Sequence, residues 1–446
     1  MSSRQDAHWT YHPELLARPV PRYTSFPTAA EFGELAPADF ASSLAGLAED
    51  EPVSLYLHVP YCHEICWYCG CNTGAANKRG RLANYARRLR SEIALVAATI
   101  GHRARVSRIA WGGGSPNALD PDQFLDLAGA VATAFDTRDA VISVEVDPRG
   151  FTREWADALS ACGASRVSLG VQTFSPAIQA AIGRVQPEKH IVETVALLRR
   201  AGVDSINFDL MYGLPGQTEA DLRDSIDRTI GLSIDRVAVF GYAHVPHLIP
   251  RQRRIDAAAL PDAEERFRAA ALAYRAFTSS GYSPVGFDHF ARPDDTLAAA
   301  ARAGVLRRNF QGFTEDRADI LIGLGASAIS AFPDRLLQNE KNAGRYGMRI
   351  ESGQLATSRG IVRTRADQLR GRAIERLLCQ GEADLSGLPD LGRVRTALLP
   401  FERLGLIEWR RGTLRLGAGA LPYSRVIAAT IDPFRAEDKR SFSNAV

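Results

Sequence analysis

Residues 56–71 read Tyr56-Leu-His-Val-Pro-Tyr-Cys62-His-Glu-Ile-Cys66-Trp-Tyr-Cys69-Gly-Cys71, and four of the six cysteines of the chain lie within this stretch. Three thiolates with C-x3-C-x2-C spacing can each bind one iron of a [4Fe–4S] cluster, which leaves the fourth iron without a protein ligand. The spacing therefore predicts an iron–sulfur cluster on Cys62, Cys66 and Cys69, with one iron open to an exogenous ligand. Cys71 is not one of the three ligands by this spacing.

Structural zinc is the main alternative for these cysteines. Zinc sites usually pair two C-x2-C units that are far apart in sequence, or add histidines at set spacing. The run has neither pattern, although His58 and His63 lie nearby. Cys162 and Cys379 stand alone and are predicted to be small buried hydrophobic residues rather than parts of a disulfide framework.

Length and composition limit the class of protein. The chain has 446 residues, of which 46% are hydrophobic and 24% charged, typical of a soluble globular protein with one large domain and smaller additions. No apolar run is long enough for a membrane helix, and residues 1–21 lack the apolar core of a signal peptide, so we expect a cytoplasmic protein without membrane contact. The net charge of +3 gives no support for nucleic-acid binding.

Short apolar or β-branched runs alternate with longer helical patterns from residue 54 onward. Six such pairs in succession predict a parallel sheet that curls into a partial (β/α)6 barrel covered by helices. The predicted strands are Ser54–Val59, Arg108–Trp111, Val141–Val146, Arg166–Val171, Ser205–Met211 and Arg236–Tyr242. The predicted helices are Leu82–Ile100, Asp122–Phe135, Arg153–Cys162, Glu188–Ala201, Glu219–Ile230 and Ala263–Ser280.

The pattern changes after about residue 300. Gly304–Gln338 is a mixed segment that could extend or cap the sheet. From Thr364 the sequence predicts two helices and a β-hairpin, in the manner of a winged helix, and because the hairpin is short and weakly basic we favour a lid or docking module over DNA binding. We therefore expect a segment over the site (residues 1–50), the partial barrel (51–300), an extension (301–363) and a C-terminal helical domain (364–446).

A C-x3-C-x2-C motif after the first strand of a βα array resembles the radical SAM (S-adenosylmethionine) superfamily. With its added C-x-C, the run of residues 56–71 closely resembles the oxygen-independent coproporphyrinogen III oxidase family. Further segments that carry the resemblance, in the same order, are Pro21–Pro27, Gly112–Pro116, Glu145–Arg149, Gly170–Phe174, Asp209–Pro215, Tyr242–Pro246, Asp288–Asp295, Asn309–Phe313 and Gly323–Ser330.

The resemblance implies a set of SAM-binding residues around the open iron. It assigns the SAM amino group to Gly112, Gly113 and Gly114, followed by Ser115 where the family commonly has Thr. The remaining assignments are Glu145 to polar groups of SAM, Gln172 and Asp209 to the ribose, Arg184 to the SAM carboxylate, Tyr68 and Ala243 to the adenine, Tyr56 to the surroundings of the sulfonium, and Phe310, Gln311 and Ile329 to a second SAM molecule. Because parallel sheets place working residues at the carboxyl ends of their strands, these positions agree with the predicted barrel.

Purely structural interpretations of the same residues stay open. Glycines at a strand end can form a plain tight turn, and Glu145 or Arg184 can simply pair with a neighbouring charge. Tyr56 can be a core aromatic residue. For Cys71 the resemblance suggests a functional role without specifying it, and a packed thiol is the alternative.

The family's activity is the oxidative decarboxylation of two propionates of coproporphyrinogen III to vinyl groups, which gives protoporphyrinogen IX. The resemblance implies Tyr56 and Cys71 as catalytic residues, an external electron donor such as a flavodoxin or ferredoxin, and one or two SAM molecules; we expect a monomer. Since the substrate has four propionates, arginines should contact it, and the candidates are Arg22, Arg149, Arg292 and Arg308. A haem carrier of the same superfamily, or a radical SAM enzyme acting on haem, is the alternative, although Cys71 and Pro21–Pro27 argue against a carrier.

Overall fold

A computed structural model describes residues 9–76 and 79–435 of the chain. Six parallel strands lie side by side in chain order, and each is followed by helical structure on the way to the next. They are β1 (Val53–Val59), β2 (Val106–Gly113), β3 (Val141–Val146), β4 (Ala164–Gln172), β5 (Ser205–Tyr212) and β6 (Arg236–Gly241). The connecting helices are Arg79–Ile100, Pro121–Ala134, Arg153–Ala161, Pro176–Ala181 with Glu188–Arg200, and Glu219–Gly231, and Ala263–Ser279 follows β6.

The sheet continues beyond both edges of this array. Strand β7 (Ile320–Leu324) pairs parallel with β1, so the segment after residue 304 extends the sheet. Antiparallel strands follow on that side at Ile329–Phe332, Arg335–Asn339, Thr357–Val362 and Gly33–Glu34, and on the β6 side at His289–Ala291 and Ser283–Val285. The two outermost strands of the described sheet do not pair with each other, so the barrel is partial, as the sequence predicts.

Alternation along β1 separates a helix-covered face from an inner face. Val53, Leu55, Leu57 and Val59 are buried in the main hydrophobic core with the surrounding helices, and burying each such side chain stabilises the fold by roughly 1.5–3 kcal/mol. The polar residues between them, such as Tyr56, point to the inner face. Alternate residues of the same strand therefore form the apolar layer under the helices and the polar interior of the barrel.

Glu315 closes the inner face at the amino ends of the strands. Its carboxylate is paired with Arg108 of β2 at 3.0 Å, with Arg236 of β6 at 3.7 Å and with Arg166 of β4. The three guanidinium groups hold the pKa of Glu315 far below its usual range, although burial acts in the opposite direction. This ion network occupies the end of the barrel opposite the cysteine loop.

A small domain follows the extended sheet. Helices Arg365–Gln380, Leu391–Arg403 and Ser424–Ile431 pack around a three-stranded sheet of Glu382–Asp384, Ile407–Arg410 and Thr413–Leu416. The two predicted helices and the hairpin are present, and the domain has a third helix and a third strand that the sequence analysis did not predict. The N-terminal part packs into the same core through Leu15, Leu16, Val20, Tyr23 and Phe26.

Several sequence-based bounds need correction. Strand β2 extends to Gly113, so Gly112 and Gly113 lie within the strand rather than after it, and Gln172 is the last residue of β4. Cys379 is buried as expected, whereas Cys162 is only half-buried. No helix in the described part of the chain is both long and apolar enough to cross a bilayer. The ends of the expected outer segments, residues 1–8 and 436–446, lie outside the described residues, and the domain limits stay a prediction.

Candidate active site

The cysteine loop begins three residues after β1, at the carboxyl end of the parallel strands. The Cys66 Sγ atom is buried and accepts hydrogen bonds from Arg184 Nη1 at 3.2 Å and Arg149 Nη2 at 3.4 Å. Cys69 Sγ accepts from the backbone N–H of Cys71 at 3.4 Å. Such cationic and N–H donors stabilise a thiolate, which is the form in which cysteine binds a metal.

The thiols of the loop differ in acidity. A hydrogen bond from the Cys71 thiol, with its backbone N–H and two arginines, lowers the pKa of Cys69 to about 6 against the effect of burial. Burial raises the pKa of Cys62 to about 11. Among the residues that the structure describes, no three His, Cys, Asp or Glu side chains surround a common point as ligands of a single ion would. A four-iron cluster instead takes each thiolate at a different iron, and three separate thiols beside two cations fit that group.

Arg184 connects the cysteine loop to the strand ends. Its guanidinium donates to the carbonyl of Gly170 at 2.6 Å and to Asp147 Oδ1 at 3.2 Å, as well as to Cys66. Arg184 and Arg149 together hold the pKa of Asp147 at about 2 despite its burial. The expected SAM-carboxylate ligand therefore lies beside a predicted cluster ligand, and its fork is paired with a carboxylate of the protein.

Asp147 is a residue that the sequence analysis missed. It lies within the quoted segment Glu145–Arg149, directly after β3, and its place at the carboxyl end of a parallel strand was the available signal. Arg149, one of the four substrate candidates, is paired with Asp147 at 2.6 Å and with Glu64 at 2.8 Å. The guanidinium of Arg149 is therefore engaged by the cysteine loop and Asp147, not by a site prepared for the substrate.

The glycine run has a steric reason that is visible in the structure. A Cβ atom on Gly112 would lie 2.7 Å from the carboxyl carbon of Glu145, and one on Gly114 would lie 2.5 Å from the backbone oxygen of Tyr61. Gly113 has φ +115° and donates its N–H to Glu145 Oε2 at 3.1 Å. At Gly114 only hydrogen fits, because the neighbour is backbone, whereas a methyl on Gly112 would have to displace the Glu145 carboxylate, so the run lets β2 lie directly against Glu145.

Ser115 has a structural part in the same corner. Its hydroxyl accepts from the backbone N–H of Asp147 at 3.2 Å and is hydrogen-bonded to Asn117. This contact joins the ends of β2 and β3. Its predicted role as a ligand-binding residue remains a prediction, and the observed contact is the one a family threonine could also make.

Glu145 and Asp209 are carboxylates of the inner face near the strand ends. Burial, followed by the charge of Asp209, raises the pKa of Glu145 to about 7. The Glu145 side chain is nevertheless accessible to water, because it lines the open interior of the barrel. Asp209 accepts from Asn207 Nδ2 at 2.9 Å and from Ser168 Oγ at 3.3 Å, and burial raises its pKa. Both groups can accept hydrogen bonds from an amine or hydroxyls.

Tyr56 is fixed by a polar chain that the sequence analysis did not identify. Its hydroxyl is hydrogen-bonded to His58 Nδ1 at 3.0 Å, and His58 Nε2 is bonded to Ser327 Oγ at 3.3 Å. Burial lowers the pKa of His58 to about 4, so the ring is neutral at physiological pH. Alternation within β1 indicated that residues 56 and 58 share a face, but Ser327 comes from a distant turn.

Gln252 brings together the two expected adenine positions. Its Nε2 atom donates to the carbonyls of Tyr68 at 2.9 Å and Ala243 at 3.0 Å, and its Oε1 accepts from Val245 N at 2.6 Å. Gln252 is fully buried. It was missed because the surrounding arginine-rich segment has the composition of a solvated loop.

Gln172 closes β4 with an unusual backbone. Its φ is +68°, which a residue with a side chain rarely adopts, and its side chain is buried beside Gly170. Backbone strain of this kind persists where surrounding structure imposes it, often at functional sites. The contact of Gln172 with the ribose stays a prediction.

The expected second-SAM residues lie on two elements. Phe310 and Gln311 form the tip of a hairpin between strands Arg307–Asn309 and Gly312–Thr314. Ile329 begins the strand beside β7 and packs against Gly323, which pairs with Tyr56 in the neighbouring strand. The number of SAM molecules therefore stays a prediction.

The structure separates the three remaining arginine candidates. Arg292 follows Ala291, which pairs with the first residue of β6, so Arg292 lies at the amino end of the sheet, away from the cysteine loop. Arg308 lies over the ring of Phe313 at 4.3 Å, and Arg22 lies over Phe240 at 4.8 Å and donates to the carbonyl of Gly241 at 3.0 Å. Only Arg22 and Arg308 lie toward the carboxyl end of β6.

A partial parallel barrel with a three-cysteine loop at the carboxyl end of its first strand defines a radical SAM protein. The model of the radical SAM superfamily matches residues 56–229. Relatives are similar over nearly the whole chain, and on that basis the chain belongs to the oxygen-independent coproporphyrinogen III oxidase family. The expected fold, superfamily and family are confirmed.

Individual relatives show the extent of the similarity. An oxygen-independent coproporphyrinogen III oxidase of Bradyrhizobium diazoefficiens is 46% identical over 83% of this chain and 82% of its own length. One from Cereibacter sphaeroides is 40% identical over 94% of this chain and 95% of its own length. The solved coproporphyrinogen III oxidase of Escherichia coli, described as a radical SAM enzyme, has 35% identity and a TM-score of 0.88, covering 96% of this chain and 99% of that one.

Proposed function

We propose that this protein decarboxylates two propionate side chains of coproporphyrinogen III to vinyl groups and so forms protoporphyrinogen IX. The observation that carries the proposal is the arrangement at the strand ends, where the thiol of Cys66 and the carboxylates of Asp147 and Glu145 surround one polar interior with Arg184. Each conversion takes one hydrogen atom from the β-carbon of a propionate, and loss of CO2, with transfer of one electron to an external acceptor, then leaves the vinyl group. A [4Fe–4S] cluster and SAM, when bound, supply the hydrogen-abstraction chemistry.

The protein's own groups bind and orient. Cys62, Cys66 and Cys69 would hold the cluster. The planar guanidinium of Arg184 suits a carboxylate. It already donates to the carboxylate of Asp147, and we propose that it turns some of these hydrogen bonds to the carboxylate of SAM. Glu145 would accept from the amino group of SAM.

The other side of the interior would hold the nucleoside. Asp209 and Gln172 offer acceptors to ribose hydroxyls, while Gln252 fixes the backbones of Tyr68 and Ala243 as walls for the adenine. Tyr56, fixed by neutral His58, would present its aromatic face to the positive sulfonium. Burial excludes water from the reacting atoms.

The finer parts of the proposal concern partners and place. An external one-electron donor such as a flavodoxin or ferredoxin would reduce the cluster, and the exposed Cys71 borders that loop. We place the protein in the cytoplasm as a monomer. A second SAM molecule would use Phe310, Gln311 and Ile329.

An anaerobic assay tests the reaction. The reconstituted protein is mixed with SAM, a reductant and coproporphyrinogen III, and the tetrapyrrole products are weighed by mass spectrometry. We expect loss of two carboxyl groups that requires SAM and is abolished in Cys62→Ala. Cleavage of SAM with unchanged porphyrinogen would contradict the substrate, and tight haem binding without any SAM cleavage would favour a haem carrier.

A further inference from the structure

A large cavity lies on the open side of the partial barrel. Its volume is about 520 Å³, and it is bounded by the hairpin of residues 307–314, the strands beyond β7 and helix Arg365–Gln380. Leu321, Ala331 and Leu336 give it an apolar wall. The volume lies within the range of small-molecule sites, roughly 300–1,000 Å³. Two of its lining residues have been named above, Arg308 as a candidate substrate ligand and Phe310 as a candidate for a second SAM molecule, but no ligand has been assigned to the cavity itself.

The acidic residues of the cavity are already paired within the protein. Arg307 binds Asp319 at 3.0 Å and Glu375 at 2.8 Å. Asp316 accepts from Ser107 at 3.3 Å and from Ser54. The lining therefore offers no free anion from these three side chains.

Four arginines of the lining form no salt bridge with a carboxylate in the part of the chain that the structure describes. They are Arg308, Arg363, Arg372 and Arg376. Arg372 and Arg376 are exposed one helical turn apart on helix Arg365–Gln380. The cavity thus combines an apolar wall with an excess of guanidinium groups, which suits an apolar molecule that carries several carboxylates.

Two of these guanidinium groups are fixed by hydrogen bonds to backbone carbonyls, and each has one buried nitrogen without a hydrogen-bond partner. Arg308 donates from Nε to the carbonyl of Tyr23 at 3.2 Å and from Nη2 to that of Arg22 at 3.1 Å, while Nη1 is buried without a hydrogen-bond partner. Arg363 donates from Nη2 to the carbonyl of Pro333 at 2.7 Å, and its buried Nε has no partner. Burial lowers the pKa of both groups. A buried cationic donor without a partner is costly unless a ligand completes it.

The geometry points to this cavity as the binding site of the porphyrinogen, with Arg308 and Arg363 as partners of its propionate groups. The inference rests on the proposed function, because a coproporphyrinogen has an apolar macrocycle with four carboxylates at its rim. The four unpaired arginines match that distribution of charge. Arg372 and Arg376 would hold the carboxylates nearest the mouth.

The cavity shares one lining residue with the predicted SAM sites. Phe310, at the hairpin tip, belongs to its lining. A Cβ atom on Gly312 in the same hairpin would lie 3.6 Å from His289 Nε2, and His289 is close enough to lower the pKa of Asp209. A porphyrinogen in the cavity would therefore direct one edge past Phe310 toward the predicted SAM site.

Binding of porphyrins to the anaerobic holoprotein tests the site. Coproporphyrin III, a fluorescent four-carboxylate analogue, is titrated in parallel with mesoporphyrin IX, which keeps two propionates. Wild type should bind coproporphyrin III at least tenfold more tightly than mesoporphyrin IX, since each charged hydrogen bond contributes roughly ten- to hundredfold in affinity. Arg308→Gln and Arg363→Gln should each lose most of this preference and raise KM for coproporphyrinogen III about tenfold or more.

Further variants separate binding from folding. Arg372→Gln with Arg376→Gln changes only exposed side chains and should lower the preference by several-fold. Arg292→Gln, at the far end of the sheet, should leave the preference unchanged. SAM cleavage without porphyrinogen and the absorbance of the cluster should match wild type in all variants whose binding is interpreted.

The outcomes distinguish the two proposals. If wild type converts coproporphyrinogen III but the Arg308, Arg363 and paired Arg372 and Arg376 variants keep the wild-type preference, the cavity is not the binding site and the proposed function stands. If wild type does not convert coproporphyrinogen III, the proposed function fails, and binding of coproporphyrin III that depends on these arginines would still assign the cavity to a polycarboxylate tetrapyrrole.

Discussion

The guanidinium of Arg184 donates to the Sγ atom of Cys66 at 3.2 Å, although the two residues are 118 positions apart in the chain. The same group donates to Asp147 Oδ1 at 3.2 Å. One side chain thus contacts a predicted cluster ligand and a carboxylate at the end of β3. In the proposed function this guanidinium would therefore link the carboxylate of SAM to a ligand of the cluster.

Arg184→Lys tests this connection. Lysine keeps the charge but cannot donate in two directions from a planar fork. We expect the Kd for SAM to rise roughly ten- to hundredfold, since charged hydrogen bonds contribute about 1.5–3 kcal/mol each, and the redox midpoint of the cluster to shift because Cys66 loses a donor. Equilibrium dialysis and anaerobic redox titration measure the two effects. Arg254→Lys, whose guanidinium lies over Trp67 at 5.3 Å, is the matched control.

Gly112→Ala tests the steric interpretation of the glycine run. The added methyl would displace the flexible end of Glu145, which lies 2.7 Å from its position, without striking backbone. The variant should fold and bind iron, but its Kd for SAM should rise about tenfold because the carboxylate moves from the amino group. Gly129→Ala, where no atom lies within 4 Å, is the control. Unchanged SAM affinity in Gly112→Ala would remove Glu145 from the binding site.

Glu315→Gln tests the ion network that closes the barrel. Three guanidinium groups would lose their shared carboxylate. Removing one partner of a buried ion network lowers the free energy of unfolding by roughly 3–5 kcal/mol. Denaturant unfolding followed by tryptophan fluorescence should show this loss, while the SAM affinity of the folded protein stays near wild type. Glu264→Gln, in an exposed pair with Arg268, should change stability by less than about 0.5 kcal/mol.

Glu92 should make stability depend on pH. It is fully buried, and its carboxylate accepts from Tyr346 Oη and Asn339 Nδ2, both at 2.7 Å. Burial raises its pKa from 4.5 to about 7, so the folded state favours the protonated form. That contribution is fully present below the unfolded pKa and is lost as pH rises through the folded pKa.

The expected loss between pH 4.5 and pH 7 is about 3 kcal/mol. Comparing unfolding free energies of wild type and Glu92→Gln across this interval measures it, and the variant should lack this part of the slope. Glu351→Gln is the control, since Arg88 keeps the pKa of that exposed carboxylate below its usual value. Equal slopes in wild type and Glu92→Gln would show that Glu92 does not titrate in this range.

Much of the fold was predictable because its signals are local. Period-two alternation in residues 53–59 and helical periodicity in the segments that follow define the βα units, and short crossovers leave one handedness. The extension was ambiguous, since a strand such as β7 pairs with β1 across more than 250 residues and no local pattern encodes that partner. Strand Glu382–Asp384 of the C-terminal sheet was not predicted for the same reason, since its partner strand is distant in sequence.

By itself, the sequence determined the cysteine spacing, the six βα units and the family, because these depend on residue types at fixed short distances. The tertiary structure alone decided that Arg184 faces Cys66 and Asp147, that Ser327 fixes His58, and that Gln252 joins Tyr68 to Ala243. It also decided which arginines of the cavity lining form salt bridges with carboxylates of the described residues and which do not. Such pairings depend on where distant segments meet after the apolar faces have packed, and hydrophobic periodicity carries no information about polar partners.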